Sequence, residues 1–370
     1  MKKFTLLVVS CLLLFACSDD DVKSSKGELK LTGTILSPKS SFPISRAKVQ
    51  VFDGDVLIAE KVSDALGAFE IDNLPKGELT IELSKGKFKR ELAIDLQSDY
   101  QLTSTESNLD IFPRIAVVTG HFDEIEQVLI NIGLVNPLTD EPLFDIVNGN
   151  GSGRIAAHDH REHDRQIGVN RNASSMPSNV DFSFQTLLNS PDLLDNYDII
   201  FLNCGANETF AADPVAAANL AAFIENGGIV YATDWMFKYV QSMFDATDYV
   251  AFSQPQKAGN SLSANAQVLN ADLQDWLEAQ GITVDPYVVI NDFLSSWQMI
   301  DSYNPTNVMG WLNADVTYGG AAVSGKSLAV TFQYGSGGVF YSSFHTHGNE
   351  DEDDALVQIM NYFVFELSEL

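Results

Sequence analysis

The sequence predicts a small all-β sandwich followed by an α/β domain built on a parallel central sheet. Three observations carry this. Between residues 27 and 100, short runs alternate apolar and polar residues, the period of half-buried strands. Between Tyr197 and Trp235, two apolar runs without alternation flank a helical pattern, which reads as strand–helix–strand with both strands buried on two faces. Apolar residues make up 45% of the 370, enough for sizeable cores.

The N-terminus opens with Lys2 and Lys3, then an apolar stretch from Phe4 to Phe15 that is short for a bilayer span. It ends in Leu14-Phe15-Ala16-Cys17, which resembles the lipobox of bacterial lipoproteins. The resemblance implies a signal peptide over residues 1–16, cleavage before Cys17, acylation of that thiol and anchoring in a membrane, with multiple acyl chains giving stable attachment. Ser18 and the acidic run Asp19-Asp20-Asp21 resemble the start of outer-membrane and surface-displayed lipoproteins. Localisation is therefore expected in the cell envelope, at the outer membrane. Residues 17–26 read as a tether.

Residues 27–100 form the sandwich. Leu29–Gly33, Ala47–Phe52, Val56–Ala59, Phe69–Ile71, Leu79–Leu83 and Leu92–Leu96 read as strands, with turns at Asp53-Gly54-Asp55, Leu66-Gly67, Pro75-Lys76-Gly77 and Lys85-Gly86. The run Asp64-Ala65-Leu66-Gly67-Ala68-Phe69 followed by Asn73-Leu74-Pro75-Lys76-Gly77 resembles the carboxypeptidase regulatory-like family. That resemblance implies a transthyretin-like sandwich without chemistry of its own, serving as a spacer or docking module.

Residues 101–111 read as a polar linker, and 112–370 as the α/β domain. Its first strand is Arg114–Gly120. Asp123 is placed as the N-cap of the next helix, with Glu126 as its capping-box partner. Phe144–Val147 gives a second strand, and Ile199–Leu202 and Ile229–Thr233 the third and fourth. Residues 236–330 are expected to form a subregion covering one end of the sheet. Val339–Phe344 is the last strand, and Asp353 or Asp354 opens the last helix.

Candidate site residues follow from strand direction, because parallel strands carry their C-terminal residues to one edge and ligands bind there. His121, Asn203, Cys204, Asp234, His345 and His347 all follow expected strands. They are read as lining a ligand-binding crevice for a glycan or a partner protein. The alternative is a hydrolase in which Cys204 pairs with a His, or in which a divalent metal binds the same set. His158, His160 and His163 form a separate cluster in the polar stretch from Asn148 to Asp181, where a metal site competes with a solvated loop.

The strands at Ile115–Thr119 and Ile199–Leu202, the Gly227-Gly228 turn and the run Tyr334-Gly335-Ser336-Gly337-Gly338-Val339-Phe340-Tyr341-Ser342-Ser343-Phe344-His345 together resemble the class I glutamine-amidotransferase-like superfamily, in its ThuA-like branch. This implies a flavodoxin-like three-layer sandwich. The family's nucleophilic Cys would follow the strand that here ends in Thr233-Asp234-Trp235, and no Cys stands there. Glutaminase chemistry is therefore not expected, and the chain is read as non-catalytic.

The formal charge of −28 and pI near 4.3 argue against a nucleic-acid partner, which needs basic patches. Once Cys11 leaves with the signal peptide and Cys17 is acylated, Cys204 is alone, so no intramolecular disulfide is expected.

Overall fold

The structure, a computed structural model, describes residues 27–38, 42–136, 138–149, 176–346 and 355–366. The expected signal peptide, Cys17, the tether, the cluster of His158, His160 and His163, His347 and the start of the last helix lie outside them. Among the described residues no helix is long and apolar enough to cross a membrane.

The first unit places seven strands in two sheets. They are β1 (Leu29–Thr34), β2 (Lys48–Asp53), β3 (Val56–Val62), β4 (Ala68–Leu74), β5 (Gly77–Lys85), β6 (Phe88–Leu96) and β7 (Tyr100–Gln101). One sheet has the order β4-β1-β7 and the other β3-β2-β5-β6. Alternate residues (Leu31, Val49, Val51, Phe69, Ile71, Ile81 and Leu83) fill the space between them. The turn into β4 is built by Asp64, whose Oδ1 accepts from the amides of Leu66 and Ala68. Gly67 there has φ +74, and a Cβ would come within 2.7 Å of the Ile35 carbonyl oxygen, so only glycine fits.

The segment expected as a linker is instead packed onto the sandwich. Helix α1 (Ser104–Ser107) is held by a capping box between Thr103 and Glu106. Leu102 and Leu109 are buried, the Leu36 amide donates to the Ser107 carbonyl, and Lys89 and Ile111 pair backbone to backbone. Composition reported the polar residues here, while the two leucines do the anchoring.

The second unit carries a nine-stranded mixed sheet. Its members in chain order are β8 (Ile115–Val118), β9 (Asp145–Val147), β10 (Ile199–Leu202), β11 (Ile229–Thr233), β13 (Leu262–Val268), β14 (Val288–Phe293), β16 (Val308–Tyr318), β17 (Ala321–Tyr334) and β18 (Gly337–Ser342). The strands β12 (Val250–Phe252) and β15 (Ile300–Tyr303) pair apart from it. Within the large sheet, β9-β8-β10-β11-β18 are parallel neighbours, in the chain order second, first, third, fourth, fifth. From β18 onward, β17, β16, β13 and β14 add antiparallel strands.

Two expectations change here. The central sheet is mixed rather than parallel throughout. Residues 236–330 do not form a separate cover, because four of their strands widen the main sheet. The long hairpin of β16 and β17 pairs along β18, so its hydrogen bonds are satisfied sideways rather than by a second layer.

The parallel strands are buried on both faces. Ile115, Val117, Ile199, Phe201, Tyr231 and Phe340 pack on one side with α2 (Ile125–Asn131) and α8 (Ala355–Glu366). Ala116, Val118, Ile200, Leu202, Val230 and Val339 pack on the other with α3 (Phe184–Leu188), α5 (Pro214–Glu225) and α6 (Phe237–Met243). The helix α5 starts where Asp213 accepts from the Val215 amide with Pro214 at its first position, and it stops at Asn226 before Gly227 at φ +104. The sandwich joins the first of these cores. Phe88 meets Phe365 at 5.1 Å between ring centres, and buried Lys85 pairs with Glu366 at 2.8 Å.

Candidate functional site

Four of the six expected site residues meet at the carboxyl edge of the parallel strands. Asn203 and Cys204 follow β10, Asp234 follows β11 and His345 follows β18. All four are buried, His345 being 3% exposed and the other three 0%. The expected open crevice is thus a closed polar cluster. His121 is at the same edge but exposed, its ring 6.3 Å from that of Phe122.

Asp123 holds the edge together, and its role differs from the expected N-cap. The helix α2 begins two residues later and takes no side-chain cap. One carboxylate oxygen of Asp123 accepts from the Thr346 amide at 2.7 Å. The other accepts from the Cys204 amide at 2.8 Å and from the Thr233 hydroxyl. A single buried carboxylate thereby binds the ends of β10, β11 and β18, and it sits on the segment that follows β8. Burial pushes its carboxyl above the usual range, with His345 pulling the other way. Glu126, the expected capping-box partner, accepts instead from Asn203 Nδ2 at 2.9 Å, and burial pushes it up to about 7. Both acids were legible only as charged residues opening a helix. The signal that could have assigned them is that they stand just past a strand, at the same edge as the other candidates.

The strand ends approach so closely that side chains are excluded. At Gly120 a Cβ would lie 2.0 Å from the Cys204 carbonyl oxygen, and at Gly205, with φ +88, 2.6 Å from the His121 amide.

Asp234 occupies a strained turn between β11 and a short 3₁₀ segment, with φ +38, uncommon for a residue with a side chain. Its Oδ1 accepts from the Gln298 amide at 2.6 Å, and its carbonyl accepts from the Tyr341 hydroxyl at 3.0 Å. Its Oδ2 lies 3.1 Å from His345 Nε2 and accepts from Cys204 Sγ at 3.6 Å. One donor atom from each of Cys204, Asp234 and His345 thus lies within 4.8 Å of the others, a set that could hold a metal ion. Burial, followed by the carboxylates of Asp234 and Asp123, pushes the Cys204 thiol well up. It is therefore a thiol at neutral pH and no nucleophile.

Outside the cluster stands a partly exposed rim. Phe122 meets the edge of Trp235 at 5.6 Å, and Lys257 Nζ lies 3.8 Å over the Trp235 ring while pairing with Glu208 at 2.6 Å. Trp235 Nε1 donates to the Ser296 carbonyl at 2.8 Å. The sequence reading missed this rim because aromatic residues next to a strand read equally well as core.

No family model matches the chain, and no curated protein matches it in sequence. Solved structures are similar in part. The 5-hydroxyisourate hydrolase of Klebsiella pneumoniae, a transthyretin-like protein, is a weak neighbour at 17% identity and TM-score 0.18, covering 20% of this chain and 84% of its own. A cytoplasmic protein from Salmonella typhimurium covers 78% of this chain and 94% of its own at 13% identity and TM-score 0.37. A β-galactosidase from Rahnella sp. R3 covers 71% of this chain and 32% of its own at 12% identity and TM-score 0.30. At TM-scores this low, none of the three bears on how this chain folds or acts.

Proposed function

We propose that this chain is a lipid-anchored protein of the cell envelope that binds a glycan, without catalysis, at the carboxyl edge of its parallel strands. In this reading Cys17 carries the anchor in the outer membrane. The sandwich is a transthyretin-like spacer of the carboxypeptidase regulatory-like kind. The second unit is a flavodoxin-like, ThuA-like domain that has lost its nucleophile. The strand order second, first, third, fourth, fifth supports the flavodoxin-like assignment, since that is the order of flavodoxin-like sheets.

One observation carries the non-catalytic reading. The turn where the resemblance puts a nucleophilic Cys holds Asp234, fully buried, with Oδ1 taken by the Gln298 amide and Oδ2 beside His345 and Cys204. The partly exposed Phe122 and Trp235 and the exposed His121 above it form an aromatic rim of the residue types that recognise sugars. Affinity electrophoresis of the wild type against a panel of soluble polysaccharides should show retardation by at least one, lost in Trp235→Ala. No retardation on any polysaccharide would remove the glycan and leave a partner protein as the ligand.

The alternative, a hydrolase with a non-standard Cys/His or metal site at the same edge, has one observation in its favour. Cys204, Asp234 and His345 bring one donor atom each to within 4.8 Å of the others, a set that could hold a catalytic metal or pair the thiol with a His.

A further inference from the structure

We propose that Cys204, Asp234 and His345 form a zinc-type metal centre, taken up as the α/β unit folds. This stands independently of the glycan reading, since a buried centre can be structural whether or not the rim binds sugar.

The geometry comes first. Zinc bonds of about 2.3 Å to sulfur and about 2.0–2.1 Å to nitrogen and oxygen, at tetrahedral angles, place a sulfur about 3.5 Å from an oxygen and a nitrogen about 3.3 Å from an oxygen. Here Cys204 Sγ is 3.6 Å and His345 Nε2 3.1 Å from Asp234 Oδ2. Two edges of a tetrahedral donor face are therefore already near their metal-bound lengths. The third pair, Cys204 Sγ and a His345 ring nitrogen, lies within 4.8 Å.

The donor chemistry agrees. Thiolate, imidazole and carboxylate together favour zinc over the hard cations, which prefer oxygen alone. Three protein donors leave a fourth position to water or an exogenous ligand.

The surroundings fix the donors. The Gln298 amide occupies Asp234 Oδ1 and leaves Oδ2 facing the other two donors. The Asp123 carboxylate accepts from the Cys204 amide and from the Thr346 amide next to His345, so it orients two donor-bearing peptides at once. A bound cation would offset buried carboxylate charge here, where His345 is the basic neighbour. Asp123 and Asp234 are 1% and 0% exposed, and among the described residues no Lys or Arg pairs with either. Buried carboxylates are costly unless paired or bound to a metal.

The competing arrangement is a metal-free cluster in which His345 and Asp234 form an ion pair. The test uses the full chain in a Cys11→Ala/Cys17→Ala background, where Cys204 is the only thiol. Protein expressed with added zinc, or refolded with zinc, should carry about one equivalent by mass spectrometric metal analysis after exhaustive dialysis. Refolding with Co²⁺ should give a sulfur-to-metal charge-transfer band in the near ultraviolet. Cys204→Ser should abolish that band, and His345→Gln should lose most of the bound metal. Folded wild type that retains neither zinc nor cobalt by either route overturns the centre. So does undiminished metal in a folded Cys204→Ser/His345→Gln double variant. If the variants do not fold, the cobalt spectrum of the parent chain decides alone, because its only thiol is Cys204. Polysaccharide retardation without metal, or metal without retardation, shows which of the two proposals has failed.

Discussion

Glu126 offers a pH test of the buried edge. In the unfolded chain its carboxyl titrates near 4.5, and in the folded protein at about 7. The folded state therefore holds a proton that the unfolded state gives up between those values. Stability should fall as pH rises from about 4.5 to about 7 and stay at the lower level above, with roughly 3 kcal/mol at stake for this one group. Glu126→Gln keeps an oxygen for Asn203 and removes the titration. Denaturant unfolding at about pH 5 and about pH 7.5 should show a clear loss for the wild type and a smaller one for the variant. Equal pH dependence in both would place the carboxyl in water. At this scale the sequence located Asn203, Cys204, Asp234 and His345 at one edge, because strand direction alone decides that. It did not show their burial, which depends on the backbone contacts at Gly120 and Gly205 and on Trp235 and Phe122 closing above. Asp123 escaped for a related reason. A short acid past a strand and before a helix looks the same whether it caps the helix or turns back to bind three neighbouring strand ends.

At the scale of elements, the strands and helices with strong periodicity were legible. The expected strands of the sandwich and the βαβ unit around α5 both occur. What periodicity could not supply was partnership. The strands β16 and β17 fall largely in the stretch expected to cover one end of the sheet, while their role is to extend it beyond β18, a non-local pairing that leaves no local mark. The segment at 101–111 shows the opposite error. Its polar composition is that of a linker, yet Leu102 and Leu109 tie it to the sandwich core. A cut there would strip buried leucines from the first unit, so this segment is not where the chain is weakest.

For the whole molecule, the two units share a seam rather than hanging on a free hinge. Phe88 against Phe365 and Lys85 against Glu366 join the sandwich to the last helix of the α/β unit. The proposed anchor is tested directly. Cys17→Ala should abolish lipid labelling and shift the chain from the membrane fraction to the soluble fraction. Unchanged fractionation would remove the anchor from the account.

The central claim is that the strand-end edge is closed and that its one Cys is not a nucleophile. Alkylation of Cys204 by iodoacetamide, followed by mass spectrometry in the Cys11→Ala/Cys17→Ala background, tests this most directly. The folded protein should stay unmodified at neutral pH and react fully after unfolding, because the thiol is fully buried beside two carboxylates. Rapid, stoichiometric alkylation of the folded chain would contradict it and return the edge to thiol catalysis.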